Sequence, residues 1–393
     1  MNRRIWLKSL LIALASPAEA ALARMQPVTR LDDALEPLRA KHGLPALAGA
    51  VVSRGQIVAA AAVGARLLKS DKKVAVNDRF HLGSDTKAMT ATLAGIAVEA
   101  GKLRWDSTIG EVLGAKAPGI DPKLAAVTLE QLLSHTGGIP SDTDEILKLY
   151  FTGEAFKYDL PTQRLRLLNV WKGHAPATKP GAEFHYANLG YVIAGAMIET
   201  AFGVSWEELM INRIFAPLRL STAGLGPQAT TGKYDAPIGY QIGDDGAATP
   251  IPWAAPADVP PALGPAGAAH MSVVDFATWA GWNAGGGKRG PALVKPETLD
   301  RIHRAHVSTG PLPNARPGTP QEGEYALGWG LVKFDWTPAP VLTHNGSNGM
   351  NFAKILVDRH GDLGVVVLTN FPEKQAQAAT SEAMETLYRR FSS

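Results

Sequence analysis

The chain has 393 residues, 46% of them hydrophobic, with 39 lysines and arginines against 36 aspartates and glutamates and no cysteine. A net charge of +3 gives no basic or acidic field to attract nucleic acid or a membrane surface. Without cysteine there is no disulfide, thiolate metal site, cysteine nucleophile or lipidated cysteine, so stability must come from burial.

Residues 1–23, MNRRIWLKSLLIALASPAEAALA, read as an export signal. They have a basic start, an apolar run over 10–15 too short to span a bilayer, and small-residue exits at Ala18-x-Ala20 and Ala21-x-Ala23. The stretch NRRIWLK resembles a twin-arginine signal, with an ordinary secretory n-region as the alternative. Either route predicts a periplasmic or secreted protein. Loss of Arg3, Arg4, Lys8 and Glu19 with this segment lowers the net charge to +1 and leaves no membrane span in the mature chain.

In chain order, Leu31, Ala34, Leu35 and Leu38 predict an amphipathic helix over 28–42, followed by two apolar runs hinged at Arg54 and Gly55, a β-hairpin. Helical periodicity then dominates over 87–100, 129–133, 189–202, 205–214 and 273–282. Residues 224–267, rich in Gly, Pro and Ala, predict an irregular wall. The end repeats the opening: a strand, a turn at His360, Gly361 and Asp362, a buried strand, and a helix over 374–388. The economical fold is α+β, one antiparallel sheet built from both chain ends and flanked by helices, with a mainly helical region inserted. After the export signal this makes a single domain over 24–393, with a sheet lobe at about 24–83 and 290–393 and a helical region at about 84–289.

The pattern Ser-x-x-Lys occurs twice in KSDKKVAVNDRFHLGSDTKAM, at Ser70 with Lys73 and at Ser84 with Lys87. Chance alone should give it about once in a chain this long, so local structure must choose. Ser70 lies among charged residues with no periodicity, a solvated loop. Ser84 opens SDTKAMTATLAGIAVEAG, apolar on nearly every side and closed by Gly101, a buried helix. In its first turn Ser84 and Lys87 share a face, and partial desolvation with the helix N-terminus favours a neutral lysine able to take the serine proton. The competing reading is an ordinary serine cap with an exposed first-turn lysine.

Two further constellations add weight. Tyr186-Ala187-Asn188 is the chain's single Tyr-x-Asn and precedes another apolar helix, where a phenol and a carboxamide supply a proton carrier and a substrate partner. Its competing reading is a core tyrosine and an asparagine cap. His344-Asn345-Gly346 enters the terminal strand pair, where glycine allows close backbone approach. His135-Thr136-Gly137 has the same form but follows a helix, with no strand to use it.

The order Ser-x-x-Lys, Tyr-x-Asn, His-x-Gly resembles the penicillin-recognising serine hydrolases: class C β-lactamases, related D-Ala-D-Ala carboxypeptidases, and esterases of that fold. LLSHTGGIP, YALGWG and LVDRHGDLGVVVLTN extend the resemblance over nearly all the mature chain. It implies the β-lactamase/transpeptidase-like fold and an acyl-enzyme on an ester or amide, taken from a short acyl ester, a D-amino-acid peptide or a β-lactam. Ser84 would be the nucleophile, Lys87 its proton partner, and Tyr186 the relay and deacylation base. Asn188 would hold the substrate, and the backbone N–H groups of Ser84 and Ser347 would form the oxyanion hole. His344, Asn345 and Gly346 would line the substrate strand. Where β-lactamases carry Lys-Thr-Gly or Lys-Ser-Gly, His344 and Asn345 lack a permanent cation and a hydroxyl, which weakens the case for β-lactam hydrolysis.

Other mechanisms fit less well. His303 and His306 form an isolated His-x-x-His without a His-Glu-x-x-His motif, so no metal is expected, and no Gly-x-Ser-x-Gly elbow occurs. No cofactor is implied. The alternative outside enzymology is a catalytically silent peptidoglycan-binding or β-lactam sensor protein on the same fold, against which the two proton carriers Lys87 and Tyr186 argue. The expected partner is a small-molecule or peptide substrate.

Overall fold

A short apolar helix and a two-residue turn set up the sheet. In a computed structural model describing residues 28–140, 142–151, 157–253, 257–311, 320 and 322–392, helix α1 (Asp32–Lys41) buries Leu35 and leads into strands β1 (Ala46–Ser53) and β2 (Gln56–Gly64). The predicted export signal lies outside the described residues. Arg54 and Gly55 make the reversal with φ of 51° and 74°, the left-handed pair that matches strand twist in a two-residue hairpin.

Six more strands come from the C-terminal part: β3 (Val307–Ser308), β4 (Glu324–Tyr325), β5 (Gly330–Val332), β6 (Val341–Ser347), β7 (Phe352–Asp358) and β8 (Leu363–Thr369). They join the first two in the antiparallel order β2-β1-β8-β7-β6-β5-β4-β3. The sheet is therefore built from both chain ends, as the sequence predicts, because β1 pairs with β8 from Leu47 opposite Thr369 to Ser53 opposite Leu363.

Side-chain alternation assigns the two faces. Leu47, Val51, Leu356, Val365 and Val367 pack with α1 and with the last helix α5 (Glu373–Phe391). Ala48, Ala50, Ile355, Val366 and Leu368 face α4 (Val273–Ala284) and the main core. Burial on both faces explains why β1 and β8 read as unbroken apolar runs.

The helical region is centred on two nearly all-buried helices that pack together, α2 (Thr86–Glu99) and α3 (Asn188–Phe202). Gly203 ends α3 in the left-handed conformation at φ 75°. No single helix among the described residues is long and apolar enough to cross a membrane.

The structure departs from the sequence reading in three places. Residues 224–267 are not wholly irregular: Gly239–Ile242 and Ala248–Ile251 form a hairpin, and Gly224–Leu225 pairs with Ala269–Ser272. That strand also pairs with Arg79–His81, so strands are not confined to the large terminal sheet. Additional helices, among them Leu160–Trp171 and Pro296–His303, flank the core.

Candidate active site

The site begins where α2 begins. Ser84 occupies a 3-10 turn, Gly83–Asp85, that runs directly into α2. Ser84 does not cap the helix; the Thr86 hydroxyl instead bonds to the Gly83 carbonyl at 2.7 Å and accepts the Ala269 N–H at 3.1 Å, pinning the turn to a neighbouring strand. Gly83 has φ 51° and lies so close to β6 that a Cβ there would overlap the Ser347 backbone. In return a Cβ on Gly346 would overlap the Leu82 carbonyl oxygen. Glycine at both positions therefore seats the Ser84 turn against the backbone N–H of Ser347.

Lys87 is fully buried, contrary to the exposed-lysine alternative. Its Nζ lies 3.0 Å from Ser84 Oγ, 2.7 Å from Asn188 Oδ1 and 2.8 Å from the Ala266 carbonyl. The last two groups can only accept, so they take two N–H bonds. The third direction faces a hydroxyl that can also donate. A neutral amine fits this arrangement, with its lone pair toward the Ser84 hydroxyl. Burial pulls the Lys87 ammonium down to about 7, against the opposing pull of Asp142 and Asp85.

Tyr186 stands at the entrance to α3, its ring 4.7 Å from Lys87 Nζ. Burial pushes its phenol well up, and a hydrogen bond with Ser84 works against that shift. At neutral pH the phenol holds its proton while the lysine readily gives one up.

His135 has an unexpected position. No strand uses it, as the sequence suggests, yet its ring lies 4.3 Å from Tyr186, 4.9 Å from Tyr325 and 5.1 Å from Tyr191. Its Nδ1 accepts the Ala187 N–H at 3.1 Å, so it braces the Tyr-x-Asn segment from behind. A pattern match hides this role, which depends on the backbone reversal at φ 58°.

On β6, His344 turns inward. Its Nε2 meets the Tyr325 hydroxyl at 3.0 Å, and its Nδ1 lies 2.8 Å from the Asn345 carbonyl and 3.4 Å from the Asp85 carboxylate. Asp85 is fully buried, and burial pushes its carboxyl up to about 6 despite His344 nearby. The sequence shows no role for Asp85, and it marks Tyr325 only as the start of YALGWG, because each acts across the fold. Asn345 and Ser347 face the same cleft as Ser84, Tyr186, Tyr325, Thr343 and Glu373, with a volume of about 430 Å³.

The remaining candidates fall elsewhere. Ser70 lies in a loop, where its Oγ accepts the Lys72 N–H, and Lys73 is exposed. His303 bonds to Asn283 Oδ1 at 3.0 Å and His306 to the Arg301 carbonyl at 2.9 Å, each held by the fold. Among the described residues no group of three or more metal-ligating side chains comes together.

The family model described as beta-lactamase matches residues 31–387, nearly the whole described chain. The chain belongs to the beta-lactamase family. Within that family of serine hydrolases it is 26% identical over 338 residues to penicillin-binding protein 4 of Amycolatopsis lactamdurans, covering 85% of this chain and 82% of that one. A D-stereospecific amidohydrolase from a Streptomyces species superposes with a TM-score of 0.67 at 21% identity, over 89% of this chain and 97% of the other. The D-alanine carboxypeptidase AmpC of Burkholderia cenocepacia gives 0.67 at 20% identity, over 91% and 97%. At such identities these structures show the fold, the β-lactamase/transpeptidase-like arrangement of antiparallel sheet and helices.

Proposed function

We propose that this beta-lactamase-family protein forms an acyl-enzyme on Ser84 with a neutral short acyl ester or a D-amino-acid amide. The observation that carries the reading is the hydrogen-bond set of Lys87, which leaves its lone pair for the Ser84 hydroxyl. Lys87 accepts the proton as Ser84 Oγ bonds to the substrate carbonyl carbon, and the N–H groups of Ser84 and Ser347 hold the oxyanion. Collapse breaks the bond to the leaving group, which takes a proton through the Tyr186 phenol, itself reprotonated from Lys87. Water then attacks the acyl carbonyl carbon while the Lys87–Tyr186 pair takes one of its protons, and collapse breaks the bond to Ser84 Oγ, which receives that proton as the acid departs.

The substrate preference follows from the cleft's charges. His344 lines the cleft with its ring nitrogens already engaged by Asp85, Tyr325 and the Asn345 carbonyl, and the lining includes the carboxylate of Glu373. Among the described residues that line the cleft there is no arginine or lysine to hold a substrate carboxylate, and Lys354, opposite Asn345 on β7, donates to Ser381 Oγ at 2.8 Å. The names of the amidohydrolase and the carboxypeptidase AmpC point to D-configured amides as a second substrate class.

The test is covalent labelling with a fluorophosphonate, mapped by mass spectrometry, and then turnover of a short-chain aryl ester, a D-amino-acid amide and a cephalosporin. Labelling at Ser84 with the ester or amide preferred supports the reading. A label elsewhere, or more efficient turnover of the cephalosporin, refutes it. Acylation without turnover of any substrate would favour a sensor.

Export by the twin-arginine route remains part of this proposal. Changing Arg3 and Arg4 to lysine keeps the charge and should stop export; undiminished export would point to the general secretory route.

A further inference from the structure

The Asn188 amide has an accepting end and a donating end, and its orientation decides what Lys87 meets. Its Oδ1 faces Lys87 Nζ at 2.7 Å because its Nδ2 donates to Asp142 Oδ2 at 2.5 Å. A carboxylate accepts hydrogen bonds and cannot donate them, so the reversed amide would set its oxygen against the Asp142 oxygen and its N–H against the Lys87 amine. The other carboxylate oxygen of Asp142 is closed off from solvent. The Tyr150 phenol is pushed up chiefly by burial, with the charge of Asp142 adding to the shift. The result is a continuous chain from Ser84 through Lys87 and Asn188 to Asp142.

We infer that Asp142 is a positioning residue for the Ser84–Lys87 pair, fixing the Asn188 amide and placing one negative charge behind the lysine. This rests on the proposed roles of Ser84 and Lys87. The groups around Lys87 are few: Asp85 from its own turn, the rings of Tyr186 and Tyr191, His135, the Ala266 carbonyl and Asp142. The two carboxylates pull the ammonium up against burial, and Asp142 does so more than Asp85. Without Asp142 the lysine would lose its proton more easily and lack a fixed acceptor. Asp142 therefore trades some of the free-amine form for a defined geometry.

Two variants separate charge from position. Asp142→Asn can still present an oxygen to Asn188 Nδ2, so it removes the charge and keeps the hydrogen bond; Asp142→Ala removes both. Removing the charge lowers the Lys87 pKa from about 7, so the neutral amine persists to lower pH. The acidic limb of the Ser84 labelling rate should move down by about one pH unit in both variants. The plateau should hold within about three-fold in Asp142→Asn and fall about ten-fold in Asp142→Ala, the loss of roughly one hydrogen bond. An unmoved acidic limb in both variants overturns the inference.

A second readout does not need catalysis. The 13Cε resonance of Lys87 can be titrated in wild type and Asp142→Asn, with melting curves to show that both are folded. A lower midpoint in the variant supports the inference even if wild type never labels at Ser84, a result that would fell the proposed function alone. An equal midpoint overturns it.

Discussion

Ser70 with Lys73 and Ser84 with Lys87 share one sequence pattern and little else. In the first copy the serine accepts a backbone N–H two residues on and the lysine points into water. In the second the same spacing falls at the start of a helix buried on all sides, and Lys87 has nowhere to go but toward Ser84, Asn188 and Ala266. The three-residue interval is the same in both places, but only the second lies at a helix start. Burial provides the chemistry, because the desolvated Lys87 amine gives up its proton near neutrality.

The comparison breaks first at the nucleophile. Ser84→Ala should abolish fluorophosphonate labelling and lower turnover by roughly 10⁴-fold or more, while Ser70→Ala should leave both unchanged. Intact labelling of Ser84→Ala would mean the buried copy is not the reactive one. Next come the proton carriers. Lys87→Ala and Tyr186→Phe should each cost about 10²–10⁴ in kcat, and the double variant should lose far less than the product of the two. Full multiplicativity would show two independent groups.

A smaller effect concerns the wall opposite these residues. His344→Lys with Asn345→Thr should raise the cephalosporin-to-ester ratio of kcat/KM about ten-fold, with Asp85 there to balance the new cation. An unchanged ratio would remove β6 as the source of preference.

The smallest effect is on stability. Lys87 titrates at about 7 when folded and near its ordinary 10.5 when unfolded. Between those values the unfolded chain binds more protons, so wild-type stability rises with pH through that window. Lys87→Met removes this slope, so its melting temperature relative to wild type should drop by about 5 °C or more from pH 7 to pH 9.5. Parallel pH profiles for wild type and Lys87→Met would contradict a buried, depressed lysine.

What was legible in sequence followed from length and burial. Strands β1, β7 and β8 are long apolar runs, and α2 and α3 are apolar on every face, so both their existence and their central place could be read. Arg79–His81 and Ala269–Ser272 are three and four residues long, too short to show a period. The hairpin at 239–251 has a proline in its second strand. Ser84, Lys87, Tyr186 and Asn188 could be found because each sits in a short local pattern. Asp85 and Asp142 could not, and although His135 and Tyr325 lie in the recognisable stretches LLSHTGGIP and YALGWG, their roles could not be read either, because the partners each meets are distant in the chain.

The two interlocked glycines also set a timetable. Gly83 takes its position against Ser347, and Gly346 against Leu82, yet the first leaves the ribosome with most of the chain still unmade. Until β6 is synthesised and zipped between β5 and β7, the turn bearing Ser84 lacks the surface that shapes it. A nascent chain, or one truncated before β6, carries the motif without the site. Reactivity thus arrives last, once the C-terminal strands have closed over a nucleophile laid down near the start.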